Sequence, residues 1–192
     1  MALYDFTKFE SVYRDLIKSE GWLRACDLYK GSKIILFYGH GGNLGIAEHA
    51  AIDLTRITKS KKVGISLGSS IQVTSLANDN GYDNLFSSWL DFTIKTLGLA
   101  KEDVCCVGIT STGKSKNFTN ALNYIKENSL KSIYFTANTL EEHNQYHAEI
   151  FTDLESYHEA ETMALGLTYD LINAAGFKCP SIIKDEKLLK IS

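Results

Sequence analysis

The chain has 192 residues, of which 44% are hydrophobic and 22% are charged, and its formal net charge is −3. This length favours one domain over 1–192 with a substantial core, since a chain of ~150 residues already buries about two thirds of its surface. The charge supplies no broad basic surface for nucleic acid, and no apolar run approaches the ~20 residues of a membrane helix. The acidic, aromatic first residues do not resemble a signal peptide. We therefore expect a cytoplasmic protein without nucleic-acid or membrane partners.

The first thirty residues predict two helices. Residues 4–18 place aromatic and aliphatic side chains on one helical face, and residues 20–29 form a shorter second segment of the same kind. Both segments precede the first predicted strand. We expect them to pack on the outside of the fold or against another subunit.

Predicted strands and helices alternate from residue 31 to 177, and a polar tail, 178–192, is predicted to be loosely held. The strands are 33–38, 62–67, 103–109, 131–136 and 148–153, and the helices are 44–58, 71–78, 84–97, 117–128 and 155–175. Near-continuous apolar strands separated by helices are typical of a parallel sheet covered on both faces. The sequence therefore predicts an α/β fold.

Two other groups of residues are interpreted as structural. The four cysteines show no metal-site spacing, and reduced, buried thiols are favoured. His143 and His147 lie four residues apart in a polar run between the last two predicted strands, where a solvated turn is favoured over a ligand pair.

A glycine-rich segment, residues 39–43, follows the first predicted strand and is called the glycine turn below. It reads Gly39-His40-Gly41-Gly42-Asn43 and leads into a helix that carries His49 and Asp53 one turn apart. Glycines let the backbone approach a ligand, and the free N–H groups of a helix start attract anions. The P-loop spacing and the dinucleotide fingerprint are both absent, so we expect a sugar phosphate or another small anion and no nucleotide cofactor.

The third predicted strand ends in a second polar segment, residues 110–115, called the hydroxyl loop below. Its hydroxyl side chains are Thr110, Ser111, Thr112 and Ser115. Ligands of parallel sheets bind beyond the carboxyl ends of the strands, where this loop lies. Helix capping in a Ser/Thr turn explains one or two hydroxyl groups but not four, so a phosphate site is favoured.

Four segments in order resemble the sugar isomerase (SIS) domain family, and within it the phosphoheptose isomerases. Residues 39–43 resemble its GNGGS turn, 47–54 its AxHxAxEL helix, 77–86 its NDxGYxxxF segment and 108–115 its GISTSGNS phosphate loop. The resemblance covers roughly residues 30 to 175. It implies a flavodoxin-like three-layer sandwich with a five-stranded parallel sheet, and a homo-oligomer, a tetramer or a dimer, with sites at subunit interfaces.

The resemblance also implies roles for single residues. Asp53 takes the place of the catalytic glutamate, and His49 that of a histidine that can bind zinc with it. His158 takes the place of a glutamine that completes the metal site and contacts the substrate. The residues implied to bind the sugar phosphate are Gly41, Gly42, Asn43, Asp79, Thr110, Ser111, Thr112 and Ser115.

One position departs from the family pattern: Gly166 stands where the family has a histidine that acts as acid, base and metal ligand. The residues that fall within one broad face of the same predicted helix are His158, Glu161, Thr162, Leu165 and Tyr169. His158 and Glu161, opposite His49 and Asp53, would provide two imidazoles and two carboxylates, which suit zinc. A hydrogen-bonded polar cluster without metal is the alternative.

The leading functional hypothesis is aldose–ketose isomerisation of sedoheptulose 7-phosphate or a related sugar phosphate in heptose or surface-polysaccharide biosynthesis. Asp53 would be the base, and His158 or a bound metal ion would polarise the sugar oxygens. Gly166 favours an alternative, a non-catalytic phosphosugar-binding or regulatory protein of the type that associates with the bacterial replication initiator. A third hypothesis keeps the isomerase and changes the sugar phosphate.

Overall fold

The computed structural model describes residues 5–137 and 147–181. Its centre is a five-stranded sheet in the order β2-β1-β3-β4-β5, in which every neighbouring pair is parallel. The strands are β1 (Ile34–Gly39), β2 (Val63–Ser66), β3 (Val104–Ile109), β4 (Lys131–Thr136) and β5 (His147–Phe151). The predicted five-stranded parallel sheet is confirmed.

Helices cover both faces of this sheet. In chain order they are α1 (Phe6–Leu16), α2 (Glu20–Lys30), α3 (Gly42–Ile57), α4 (Ser70–Asn80), α5 (Leu85–Thr96), α6 (Lys116–Glu127) and α7 (Tyr157–Ala174). Residues from α1, α2, α3 and α7 form one apolar core with one sheet face, and residues from α4, α5 and α6 form a second core on the other face. β1 and β3 are almost wholly buried between the two layers, which is why their sequences are continuously apolar.

The N-terminal helices are part of the first core. Trp22, Ala25 and Tyr29 of α2 are buried, and Leu16 ends α1 in the same cluster. The two helices therefore pack against one face of the sheet, and their packing against another subunit stays a prediction. In the described part of the chain, no helix combines the length and the apolar composition that crossing a membrane requires.

The interpretation of His147 as part of a solvated turn is wrong. His147 is the first residue of β5, pairs in register with Ser132, and is only 8% exposed. Its Nδ1 lies 2.9 Å from the Ser132 hydroxyl. His143 and residues 182–192 of the predicted tail lie outside the described residues.

The prediction that the cysteines are buried holds for two of the four. The four cysteines are free thiols, and Cys105 and Cys106 are buried in β3. Cys26 and Cys179 are only partly buried. Burial raises the pKa of the Cys105 thiol to about 12.

Candidate functional site

The glycine turn starts where three polypeptide segments meet closely. A Cβ atom on Gly39 would lie 2.8 Å from the Ile109 carbonyl oxygen of β3 and 3.0 Å from the Cβ of Asn43. Gly41, which precedes α3, has a φ of 53°, a conformation that L side chains rarely adopt. The glycines therefore let β1 turn directly into α3 beside the end of β3, where the hydroxyl loop begins.

Two of the four hydroxyl groups in the hydroxyl loop shape the loop itself. The buried Thr110 hydroxyl accepts a hydrogen bond from the Gly113 amide at 3.1 Å, and the Thr112 hydroxyl accepts one from the Lys114 amide at 3.4 Å. Such side-chain to backbone bonds are what a Ser/Thr turn supplies. Thr110 is buried within its own turn, so stabilising that turn is enough to explain a hydroxyl group at this position.

The remaining part of the loop faces a cleft. Asn43 of α3 donates its side-chain amide to the Ser111 hydroxyl at 3.3 Å, which joins the glycine turn to the hydroxyl loop. Ser111 and Thr112 line a cleft of about 310 Å³ whose other wall is the start of α7 and the preceding Glu155. The structure therefore brings Asn43, Ser111 and Thr112 together at the carboxyl ends of the strands, as the sequence predicts.

Ser115 lies immediately before α6. Its hydroxyl oxygen is buried, forms no cap bond with the helix and has no hydrogen-bond partner in the part of the chain that the structure describes. A buried hydroxyl without a partner is costly, and the free amides of the α6 start lie beside it. An anion bound here would accept hydrogen bonds from both the Ser115 hydroxyl and the free amides at the start of α6.

His40 of the glycine turn contacts aromatic side chains. Its ring packs against Phe86 with centroids 4.6 Å apart and faces Tyr82 at 6.3 Å. These aromatic residues belong to the segment that resembles NDxGYxxxF. Burial lowers the pKa of His40, and the neighbouring Asn117 side chain partly opposes the shift. His40 therefore links the glycine turn to this segment and to the start of α6.

Asp79, by contrast, lies away from these contacts. It is exposed in the last turn of α4, and its carboxylate accepts a hydrogen bond from the side chain of the adjacent Asn78 at 2.9 Å. Within residues 5–137 and 147–181, no hydrogen bond connects Asp79 to Asn43 or to the hydroxyl loop.

Glu161 lies at the first turn of α3. A Cβ atom on Gly42 would come within 2.5 Å of the Glu161 carboxylate, and His158 Nδ1 lies 3.8 Å from the same carboxylate. A carboxylate is favourable at a helix N-terminus because it opposes the helix dipole. In this chain the glycine turn therefore has a carboxylate of the protein beside it.

His49 and Asp53 form a second polar cluster further along α3, together with Tyr169 of α7. His49 Nε2 and the Tyr169 hydroxyl lie 3.0 Å and 3.0 Å from Asp53 Oδ2, and 3.1 Å from each other. Arg56 lies 3.7 Å from the other carboxylate oxygen. Burial, and then the hydrogen bond to Asp53, raise the pKa of Tyr169 to about 12, so the phenol keeps its proton at neutral pH.

The two clusters stay separate within one chain. Asp53 follows Asn43 by ten positions in α3, which is about 15 Å along a helix axis. His158 precedes Tyr169 by eleven residues of α7, or about 16 Å. His158 and Glu161 therefore do not reach His49 and Asp53.

The predicted zinc ligands accordingly do not form one set in a single chain. Among the described residues, no three His, Cys, Asp or Glu side chains are placed to hold a metal ion. His49 and Asp53 supply two candidate ligand atoms, and the third group beside them is the protonated phenol of Tyr169. Zinc binding stays a prediction.

Comparison with known proteins gives relatives of one kind. No family model matches the chain. A phosphoheptose isomerase of Thermodesulfovibrio yellowstonii is 34% identical over 126 residues, which cover 64% of this chain and 59% of the relative. One from Helicobacter pylori is 36% identical over 103 residues, 52% of this chain and 50% of the relative. The chain thus spans between half and three fifths of these curated relatives.

Solved structures match over a greater length. A phosphoheptose isomerase of Neisseria gonorrhoeae superposes with a TM-score of 0.70 at 21% identity and covers 89% of this chain and 94% of its own. One from Francisella tularensis gives 0.70 at 16% identity, with 88% and 93% covered. These matches confirm the three-layer fold, and the curated relatives confirm the predicted resemblance to phosphoheptose isomerases.

Proposed function

From this resemblance we propose that the chain is an aldose–ketose isomerase that acts on a sugar phosphate, with sedoheptulose 7-phosphate as the first candidate substrate. The observation that carries the proposal is the presence, in this fold, of a hydroxyl-lined cleft at the strand ends together with a carboxylate–imidazole pair on α3. The cleft has donors for a phosphate group, and the pair has a base for proton transfer. Heptose or surface-polysaccharide biosynthesis in the cytoplasm is the proposed setting.

The phosphate end of the substrate is assigned to the hydroxyl loop. Ser111 and Thr112 line the cleft, and the buried Ser115 hydroxyl lies at the start of α6 without a partner among the described residues. The free amides of that helix start add donors and a partial positive charge. Lys114, exposed in the same loop, adds a cationic side chain.

The chemical step is assigned to Asp53. Isomerisation takes a proton from C1 of the ketose, passes through an enediolate and returns a proton to C2. Asp53 is fixed by Tyr169 and His49 through Oδ2 and is mostly buried, at 18% side-chain exposure. His49, half exposed beside it, has a second ring nitrogen, Nδ1, that can accept a proton from a sugar hydroxyl while Nε2 faces Asp53.

The distance between these two regions supports an assembly. The hydroxyl loop contacts Asn43, about 15 Å along α3 from Asp53, so one chain alone leaves the phosphate end and the base far apart. We therefore propose a homo-oligomer, dimer or tetramer, in which the hydroxyl loop of one copy works with Asp53 of another.

Turnover of sedoheptulose 7-phosphate, followed by NMR with and without zinc, tests the proposal. We expect Asp53→Asn to lower kcat by about 10²- to 10⁴-fold, as for loss of a general base. Thr112→Ala should mainly raise KM. The matched controls are Asp103→Asn, at the opposite end of the sheet, and Thr119→Ala, whose hydroxyl bonds the Lys116 carbonyl within α6. Absence of turnover in the unmodified protein would refute the isomerase.

Mixing the two impaired variants, assayed at a substrate concentration below the raised KM of Thr112→Ala, tests the assembly. If the base and the hydroxyl loop of one site come from different copies, unfolding and refolding Asp53→Asn together with Thr112→Ala will restore activity at sites that combine one intact half from each. If each chain forms its own site, the mixture will be no more active than its parts.

A non-catalytic phosphosugar-binding protein is the second candidate. Two features favour this function: Gly166 has no side chain where the resemblance implies a catalytic histidine, and His158 lies far from Asp53. A thermal shift with sugar phosphates that Thr112→Ala abolishes, without any turnover, would establish this function. No thermal shift at all would instead favour a regulatory protein with a protein partner.

A further inference from the structure

Tyr169 connects the two helices that carry the proposed chemistry. It projects from α7 onto α3, where its hydroxyl lies 3.0 Å from Asp53 Oδ2 and 3.1 Å from His49 Nε2. Its ring meets the His49 ring edge-on, with an interplanar angle of 88°. One side chain thus contacts both members of the carboxylate–imidazole pair.

The hydrogen bonds have a defined direction. Asp53 is an acceptor when ionised, so the phenol donates its single proton to Oδ2. The lone pairs of the phenol oxygen then face His49 Nε2, which must carry a hydrogen to bond either Tyr169 or Asp53. Tyr169 therefore fixes the orientation of the carboxylate, and together with Asp53 it favours the His49 tautomer that carries its hydrogen on Nε2.

The surroundings of Tyr169 make it suited to hold this geometry. Its neighbours Leu167, Thr168, Leu171 and Ile172 are buried at 1% exposure or less, which anchors this part of α7 against the sheet. One turn earlier, a Cβ atom added to Gly166 would meet nothing within 4 Å. In the described chain, position 166 therefore offers no side chain to the pair, and Tyr169 supplies the contact from α7.

We propose that Tyr169 is the positioning residue of the isomerase, which holds Asp53 and His49 in the orientation that proton transfer requires. The inference rests on the proposed role of Asp53 as the base. Tyr169 makes the contact from α7 to His49 and Asp53 that a glycine at position 166 cannot make.

A purely structural tie between α3 and α7 is the competing explanation, and the chain contains a matched contact of that kind. The Tyr13 hydroxyl of α1 donates to Asp170 Oδ2 of α7 at 2.7 Å. It is the same phenol–carboxylate bond, made to the residue next to Tyr169, but it does not involve Asp53. Tyr13→Phe is therefore the control for Tyr169→Phe.

Steady-state kinetics separate the two explanations. We expect Tyr169→Phe to lower kcat between about tenfold and a hundredfold, the range for loss of a hydrogen bond to a charged group, with KM changed less than about twofold. Tyr13→Phe should keep kcat within about twofold. Unchanged kcat in Tyr169→Phe, or an equal loss in both variants, would overturn the proposal.

A readout independent of turnover is the ¹⁵N NMR spectrum of the His49 ring, assigned with His49→Asn. We expect Tyr169→Phe to move the Nε2 resonance or change the tautomer ratio, whereas Tyr13→Phe leaves both unchanged. If the unmodified protein turns over no sugar phosphate, the proposed function fails, and this spectrum still decides the role of Tyr169. An unaltered His49 spectrum in Tyr169→Phe would overturn it.

Discussion

Replacing Gly166 by alanine should stabilise the protein. Gly166 lies in the middle of α7, it is exposed, and an added Cβ atom would meet nothing within 4 Å. Alanine is favoured over glycine inside a helix by about 1 kcal/mol, and for a domain of this size that raises Tm by about 2–4 °C. Thermal unfolding followed by circular dichroism measures the change.

Two other glycines provide the comparison. Gly45 in α3 is also exposed with open space around its Cβ position, so Gly45→Ala should raise Tm by a similar amount. Gly21 is the opposite case, because its Cβ would lie 2.3 Å from the Glu149 carbonyl oxygen and would push α2 away from β5. A lower Tm for Gly166→Ala, with a higher one for Gly45→Ala, would refute the open-space reasoning and show that the assembled protein fills this position.

The same space allows a functional gain to be tested. Gly166→His places an imidazole one helical turn from Tyr169, at the position where the family resemblance implies a general acid. We expect the variant to fold and its kcat to rise by about tenfold or more, since a placed acid or base contributes about 10²- to 10⁴-fold. An unchanged or lower kcat would show that Tyr169 and His49 leave no role for that group.

Two predictions concern stability. Lys62 is buried and donates hydrogen bonds to the carbonyl oxygens of Tyr29 and Lys30, at 2.9 Å each, and to that of Ser32. Lys62→Met should therefore lower the free energy of unfolding, measured in urea, by about 2–3 kcal/mol. A loss below about 0.5 kcal/mol would contradict this prediction. Because burial lowers the pKa of His40 from 6.5, the unfolded chain binds more protons, and stability should fall as pH drops below that value. His40→Asn removes the pH-dependent contribution of His40 to the free energy of unfolding. The unmodified chain should therefore be more stable relative to His40→Asn at pH 7 than at pH 5. An equal difference at both pH values would contradict this prediction.

The sequence predicted the helices and strands well because the signal for each is local. Every predicted boundary lies within two residues of the observed one. β1 and β3 are buried on both faces and therefore continuously apolar, while the helices show one apolar face. The start of β5 was the difficult case, because His147 is polar and its burial depends on Ser132, which pairs with it from β4.

The candidate site was predictable in part. The glycine turn and the hydroxyl loop follow strands that lie side by side, so the sequence could place them together, and Asn43 does bond Ser111. The sequence could not predict which hydroxyl groups bond the loop backbone and which face the cleft. Thr110 bonds the Gly113 amide while Ser111 faces the cleft, and this difference depends on the backbone path of one turn.

By itself the sequence determined the order of elements, the two loops at the strand ends and the His49–Asp53 pair, because each depends on residues close together along the chain. Only the tertiary structure decided what α7 brings to α3. The two helices pack side by side, and their axial offset puts Glu161 beside Gly42 and Tyr169 beside Asp53. Periodicity gives the face of a helix but not its offset against a neighbour, since that offset is set by packing over the whole core.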